Sequence, residues 1–330
     1  MKKFLVAALV LVVVLGCVIF ALHKFRPKLQ KITRFAMDTI VTIQAPGGQK
    51  TADAINKALD RVDYISWYYN PIDKRSPVYA FNHFGTPISD PDMVKLIASA
   101  IERSEATDGA FDITIFPVFD LWGFNTAKPH MPDKKDIEKA LKKVGYKSLY
   151  IKDGKVYKKN PYTMIELGGI AKGYAVSEMA RILKENGVKS ALIDAGGDIM
   201  AIGKLYGRPW KVGIKDPRSE GVIGVVAIDD GVAFSSGDYE RFFIKDGVRY
   251  CHIFNTKTGY PVQGLSGVSV FSDDPLRVTG WSSAIFALGK DKGLELAKKE
   301  PFLKVVIIDA DQKVFYSDNL KGDLTIKKIK

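Results

Sequence analysis

Apolar and polar positions mark out the elements of this chain before anything else does. Residues 32–44 alternate, with Phe35, Met37, Ile40 and Ile43 among the apolar positions, and Pro46-Gly47-Gly48 closes the run, which predicts one strand. Within residues 52–64, Ala54, Ile55, Ala58, Leu59 and Val62 recur at helical spacing. An aromatic, turn-rich stretch follows, Ser66-Trp67-Tyr68-Tyr69-Asn70-Pro71. Further helices are expected over residues 93–107, stopped by Asp108-Gly109, and over residues 134–144, stopped by Gly145. Two short strands, 149–151 and 156–157, flank an Asp153-Gly154 turn.

The next segment is the most informative. An apolar run over 162–165 reads as a strand, and Ala171, Tyr174, Ala175, Met179, Ile182 and Leu183 fall near helical spacing until Gly187. Between them lies Glu166-Leu167-Gly168-Gly169-Ile170-Ala171-Lys172-Gly173-Tyr174, a glycine turn with a lysine near the helix start. Backbone N–H groups at a helix N-terminus favour an anion, and glycines let a phosphate approach. A lysine there opposes the helix dipole, so helix stability does not account for it. The spacing is neither that of a P-loop nor GxGxxG, and many such turns serve only close packing.

Beyond this helix strands dominate, over 190–193, 199–202, 210–214, 224–228, 232–234, 241–244, 249–254 and 265–271. Helices over 280–288 and 292–299 precede a strand over 304–308 and a final strand. Helices and strands do not alternate regularly, which predicts an α+β fold and not a doubly wound sheet. No internal repeat and no linker divides residues 31–330, so one large domain is expected there.

Composition sharpens the picture at the N-terminus. Lys2 and Lys3 precede an unbroken apolar stretch from Phe4 to Leu22, and His23, Lys24 and Arg26 follow. Residues 1–22 therefore read as an export or anchoring segment, and 23–30 as a basic linker. Val14-Leu15-Gly16-Cys17 resembles a lipoprotein cleavage box, although Val18, Ile19 and Phe20 continue the apolar run, which is also about long enough to span a bilayer uncleaved. In either case the lysines stay inside and the globular part lies outside, at the extracytoplasmic face of the cell membrane. Cys251 is the one other cysteine, so the exported part has no disulfide framework and no cysteine metal site. The formal charge of +12 suits an anionic ligand or membrane surface. The lysines are spread and accompany no nucleic-acid motif, so no nucleic-acid partner is expected.

Several further segments carry candidate chemistry. Asp108-Gly109-Ala110-Phe111-Asp112 is a turn running into an expected strand, and Gly196-Gly197-Asp198 joins two strands. Ser236-Gly237-Asp238-Tyr239-Glu240-Arg241 is a hydroxyl-rich turn. Of the four histidines, His252 alone falls at a strand end beside a glycine turn, reaching Gly259. Singly, each of these is a common turn. Their order and spacing, with Met37-Asp38-Thr39 and the glycine–lysine segment, resemble the ApbE family, the FAD:protein FMN transferases. The resemblance runs from Met37 to Gly289.

That resemblance implies a single α+β unit with antiparallel sheets, T-fold-like, holding FAD in a groove between its halves. It implies a Mg²⁺-assisted transfer of FMN from FAD to a threonine or serine hydroxyl of an acceptor protein, an extracytoplasmic electron-transfer subunit, with AMP leaving. His252 takes the role of the family's base, and an ordinary imidazole suits it near neutrality. FAD contacts map to Met37, Tyr68, Ala110, Phe111, Asp112, Glu166, Lys172 and Ile253, with Tyr68 stacking on the isoalloxazine and Glu166 accepting from a ribose or adenine group. The metal ligands map to the Gly169 carbonyl, Thr279 and Ser283. Here the chain departs from the family: Thr279 stands for an aspartate and Ser283 for a threonine, with Asp273 or Asp274 as possible compensation. Asn255-Thr256 stands for the usual Asp-Pro. These departures keep two other readings open, a FAD pyrophosphatase that uses water, and a FAD-binding lipoprotein without chemistry.

Overall fold

The computed structural model describes residues 26–320 and 324–326, without side chains for the last three. The apolar segment 1–22 and Cys17 lie outside the described residues, among which no helix is long and apolar enough to cross a membrane.

The expected first strand is a hairpin. β1 (Leu29–Ala36) and β2 (Thr39–Pro46) pair antiparallel, with Phe35 opposite Ile40. Met37 and Asp38 form the turn with φ of 51° and 57°. Alternation alone cannot reveal such a turn, because both residues are non-glycine and the left-handed region is uncommon for them. β1 also begins inside the expected linker. The Pro27 carbonyl accepts from Tyr206 Oη at 2.7 Å, and Arg26 lies over the Tyr206 ring.

β2 shows why the sheet has two faces. Val41, Ile43 and Ala45 are fully buried, while Ile40, Thr42 and Gln44 point the other way. The sheet continues through β5 (Ala191–Ala195), β6 (Asp198–Ile202), β9 (Gly231–Gly237), β12 (Leu265–Ser272), β13 (Lys304–Asp309) and β14 (Val314–Tyr316). These eight strands run in the order β1-β2-β5-β6-β9-β12-β13-β14, every pair antiparallel.

One face is covered by helices α1 (Gln49–Tyr68), α3 (Pro91–Ala106), α6 (Gly168–Glu185), α8 (Trp281–Leu288) and α9 (Lys290–Lys299). On α1, Ala54, Ile55, Ala58, Leu59, Val62 and Ile65 form the buried stripe. The other face packs on a small sheet of β7 (Trp210–Lys215), β8 (Val222–Ile228) and β15 (Leu324–Ile326). Each fully buried Ile, Leu or Val contributes about 1.5–3 kcal/mol to this packing.

A third cluster surrounds Trp122, between α4 (Phe116–Leu121), α5 (Lys134–Leu141) and the hairpin of β10 (Phe242–Lys245) with β11 (Val248–Cys251). The Trp122 indole donates to the Gly259 carbonyl at 2.9 Å and so ties this lobe to the turn after His252.

Several elements depart from the pattern-based expectation. α1 extends through Tyr68, and α2 (Pro77–Phe84), capped by Ser76, falls outside the expected elements. β3 (Leu149–Lys152) and β4 (Lys155–Lys158) pair as expected. Residues 162–165 are not a strand. The Asn82 side-chain amide donates to the Ile165 carbonyl at 2.9 Å and accepts its N–H at 2.8 Å, standing in for a neighbouring strand. Nor is Ala110-Phe111-Asp112 a strand: it enters a single 3₁₀ turn, Ile113–Ile115.

Candidate active site

The glycine segment lies inside its helix and not before it. α6 begins at Gly168, and Glu166 Oε1 accepts the Gly168 N–H at 2.5 Å. A carboxylate at a helix start is favourable, so one oxygen of Glu166 serves as a cap. Burial raises the Glu166 pKa, opposed by the Arg241 charge and by this hydrogen bond.

Gly173, in the next turn, allows a close approach to the Thr279 corner. A Cβ there would lie 2.1 Å from Thr279 Oγ1 and 2.9 Å from Phe234. α6 therefore lies directly against the short α7 (Pro275–Val278) and the Thr279-Gly280 turn that leads into α8. Gly280 holds φ 82°, and Thr279 Oγ1 donates to the Ile170 carbonyl at 3.0 Å.

A single cleft opens where these elements meet the ends of β2, β6 and β9. It is bordered by Met37, Ala110, Phe111, Asp112, Glu166, Gly169, Lys172, His252, Ile253, Thr279 and Ser283. The structure thus brings together every residue expected at the site except Tyr68. Because α1 continues to its position, Tyr68 is half-buried and stacks on Tyr64 with ring centroids 4.8 Å apart. Tyr69, the neighbouring residue, borders an adjoining recess with Ile65, Pro71, Phe116 and Phe119. Successive helical residues point about 100° apart, so a one-residue ambiguity decides which ring meets the cleft.

Asp112 borders the cleft, yet its carboxylate is occupied internally. Oδ1 accepts from the Thr114 N–H and hydroxyl at 2.8 and 2.7 Å, and Oδ2 accepts from the Tyr146 N–H at 2.8 Å. Its role is to shape the loop carrying Ala110 and Phe111. Met37 is held in its left-handed conformation by its N–H, which donates to Ser66 Oγ at 3.1 Å. Strain of this kind concentrates at functional sites.

Three participants were absent from the expected site although they lie within the quoted segments. Asp198 Oδ2 is 3.4 Å from Lys172 Nζ, and Asp198 Oδ1 accepts the Ser235 N–H at 3.2 Å. Burial raises the Asp198 pKa, and the Lys172 charge opposes it. Arg241 borders the same cleft. Ser236 Oγ lies 2.9 Å from both Ser282 Oγ and Ser283 Oγ, so a hydroxyl cluster forms one wall. Its signal was the serine pairs at 235–236 and 282–283.

His252 is a half-buried residue of this cleft. Its Nδ1 faces the Arg241 carbonyl at 3.3 Å. A carbonyl only accepts, so Nδ1 carries the proton and Nε2 presents a lone pair. Burial first, and then the Arg241 and Lys172 charges, lower its pKa to about 3. In place of an ordinary imidazole, these surroundings favour the neutral, free-base form of His252. Beyond it, Thr256 Oγ1 donates to the Gly109 carbonyl at 2.6 Å, and Asn255 Oδ1 accepts from the N–H groups of Lys257 and Thr258. The Asn255-Thr256 pair thus makes a well-bonded turn.

The oxygens available to a divalent cation are the Gly169 carbonyl and the Thr279 and Ser283 hydroxyls. No compensating carboxylate comes from the segment before α7. Asp274 Oδ1 caps α7 by accepting from Leu276 and Arg277, and neither Asp273 nor Asp274 borders the cleft. Among the described residues no group of three His, Cys, Asp or Glu could hold a metal. The Thr279 proton is given to Ile170, which leaves its lone pairs free. Neutral oxygens of this sort would give Mg²⁺ a partial shell only, which phosphate and water oxygens would have to complete.

The model of the ApbE family matches residues 37–307, and therefore spans every element of this cleft. The chain belongs to the ApbE family. It is 32% identical over 277 residues to the FAD:protein FMN transferase of Haemophilus influenzae, covering 80% of each chain. It is 29% identical over 344 residues to that of Vibrio cholerae, covering 98% of this chain and 100% of the relative. Among solved structures, the ApbE protein of Thermotoga maritima superposes with a TM-score of 0.84 at 33% identity, over 90% of this chain and 99% of that one. The flavin transferase ApbE of Vibrio cholerae, at 24% identity and a TM-score of 0.79, shares the fold. The single α+β domain with antiparallel sheets is thus the ApbE fold.

Proposed function

We propose that the chain is an FAD:protein FMN transferase that uses Mg²⁺, acts on a threonine or serine hydroxyl, and works from the extracytoplasmic face of the membrane. The observation that carries this reading is the meeting, in one cleft, of a free-base histidine with Lys172, Arg241 and an open hydroxyl wall beside the start of α6.

The chemistry follows from those groups. The acceptor O–H attacks the phosphorus on the FMN side of the diphosphate, and a new P–O ester bond forms. The bond to the bridging oxygen breaks, and AMP leaves with that electron pair. His252 Nε2 takes the acceptor proton. A base of low pKa is a weak one, but the bound diphosphate would neutralise Arg241 and Lys172 and raise it toward the working range. Lys172 and Arg241 stabilise the charge on the equatorial and leaving oxygens, the main need in phosphoryl transfer. The Gly169 carbonyl and the Thr279 and Ser283 hydroxyls would hold a divalent cation, which would supply further charge neutralisation when bound.

Export rests on the apolar segment 1–22 with its flanking lysines, and lipid attachment on Cys17. Mass spectrometry of an acceptor domain incubated with the protein, FAD and Mg²⁺ is the test, with the acceptor gaining one FMN on Thr or Ser. Free FMN and AMP with an unmodified acceptor would instead identify a pyrophosphatase, and intact FAD a binding protein.

A further inference from the structure

We propose that the divalent cation enters this cleft only together with the FAD diphosphate, so that the substrate and not the protein supplies the charge that recruits it. This rests on the flavin transferase reading above. Three observations lead to it.

First, the protein oxygens at the Thr279 corner are neutral. Thr279 is 1% exposed, and its hydroxyl is fixed by the bond to Ile170 with Gly173 directly behind it. It cannot swing aside to admit a carboxylate from elsewhere. Mg²⁺ dehydrates reluctantly and is ordinarily drawn by one or two carboxylates or by phosphates.

Second, the carboxylates deeper in the cleft are already engaged. Asp198 faces Lys172 and the Ser235 N–H, Glu166 caps α6, and Asp112 holds Thr114 and Tyr146. Asp38 and Glu240 are exposed at the rim.

Third, Lys172 and Arg241 face the same space. They offer two cationic partners to an anionic ligand, and neither has a lone pair to offer a dication. A diphosphate held by them would add the anionic oxygens missing at the Thr279 corner. Coupling of this kind is reciprocal: the factor by which FAD tightens the cation is the factor by which the cation tightens FAD.

The test uses Mn²⁺ as the probe, followed by electron paramagnetic resonance, and flavin fluorescence for FAD. Expected is no Mn²⁺ uptake by the protein alone at millimolar concentration. With FAD bound, Mn²⁺ should bind roughly tenfold or more tighter than to FAD in buffer, and FAD affinity should rise by the same factor. Riboflavin, which lacks the diphosphate, should recruit none. Thr279→Asp should take up Mn²⁺ without FAD, and its melting temperature should rise with Mg²⁺ alone. Should Thr279→Asp fold poorly, Ser283→Asp at the half-buried neighbouring position provides the same comparison. Equal Mn²⁺ affinity with and without FAD, or recruitment by riboflavin, overturns the proposal. FAD binding with no Mn²⁺ beyond that held by FAD itself overturns the metal-assisted reading and the proposal with it. No flavin binding at all overturns the transferase reading.

Discussion

Gly173 and His252 are the residues at which small changes have the clearest consequences. A Cβ at position 173 would sit 2.1 Å from Thr279 Oγ1, and Thr279 is itself bonded to Ile170. Gly173→Ala is expected to cost about 1–3 kcal/mol through overpacking. It should also lower the FMN transfer rate far more than that stability loss implies, because the displaced residue borders the cleft. Thermal melts beside turnover measurements check this, and wild-type turnover in a destabilised variant would count against it. His252→Ala should lose roughly 10²–10⁴-fold in rate while retaining FAD affinity.

The pH behaviour of His252 also has a definite sign. Its folded pKa is about 3, below its ordinary 6.5, so the unfolded chain binds the proton more readily. Its stabilising contribution is complete above the unfolded value and is lost as pH falls from there toward the folded value. In kinetics, the acid limb of kcat/KM, which reports the free enzyme, should lie below that of kcat, which reports the complex in which FAD has neutralised the two cations. Coincident limbs would refute that account.

At the scale of elements, Trp122 connects an outlying lobe to the catalytic turn through the Gly259 carbonyl. Trp122→Ala should cost about 3–5 kcal/mol, and amide exchange should rise first over residues 252–260. Protection unchanged there would mean the turn stands without the lobe. The elements also show what alternation and spacing can convey. β5, β7 and the helices α3, α5 and α6 are close to expectation, because each buries a clear face. The hairpin turn at Met37 and Asp38 was hidden, since nothing in two non-glycine residues announces positive φ. The segment before Glu166 read as a strand because its run is apolar, yet the partner of Ile165 is the side chain of Asn82, which no periodicity encodes. The candidate site was legible as ordered segments. Tyr68 was misplaced because the end of α1 fell within the ambiguity of an aromatic run, and the serine wall because its members lie far apart in sequence.

For the molecule as a whole, the proposed anchoring by residues 1–22 and flavin binding by the folded unit can be tested separately. Among the described residues, none that borders the cleft precedes Met37. Removing residues 1–22 should therefore move the protein from the membrane to the soluble fraction and leave its FAD dissociation constant unchanged, as fractionation and fluorescence titration would reveal. A changed affinity would mean that the segment touches the site. The clasp of Tyr206 on Arg26 and Pro27 bears on what remains when the segment is present. If residues 1–22 anchor the protein as proposed above, three residues of sequence, His23, Lys24 and Phe25, separate the apolar run from that clasp. β1 then carries the chain eight residues, about 25 Å at strand rise, to the turn that borders the cleft. An enzyme anchored in that way would work at a fixed height and would not sweep the space around it. Its clients would be selected by where they hold their hydroxyl above the lipid as much as by the sequence around it.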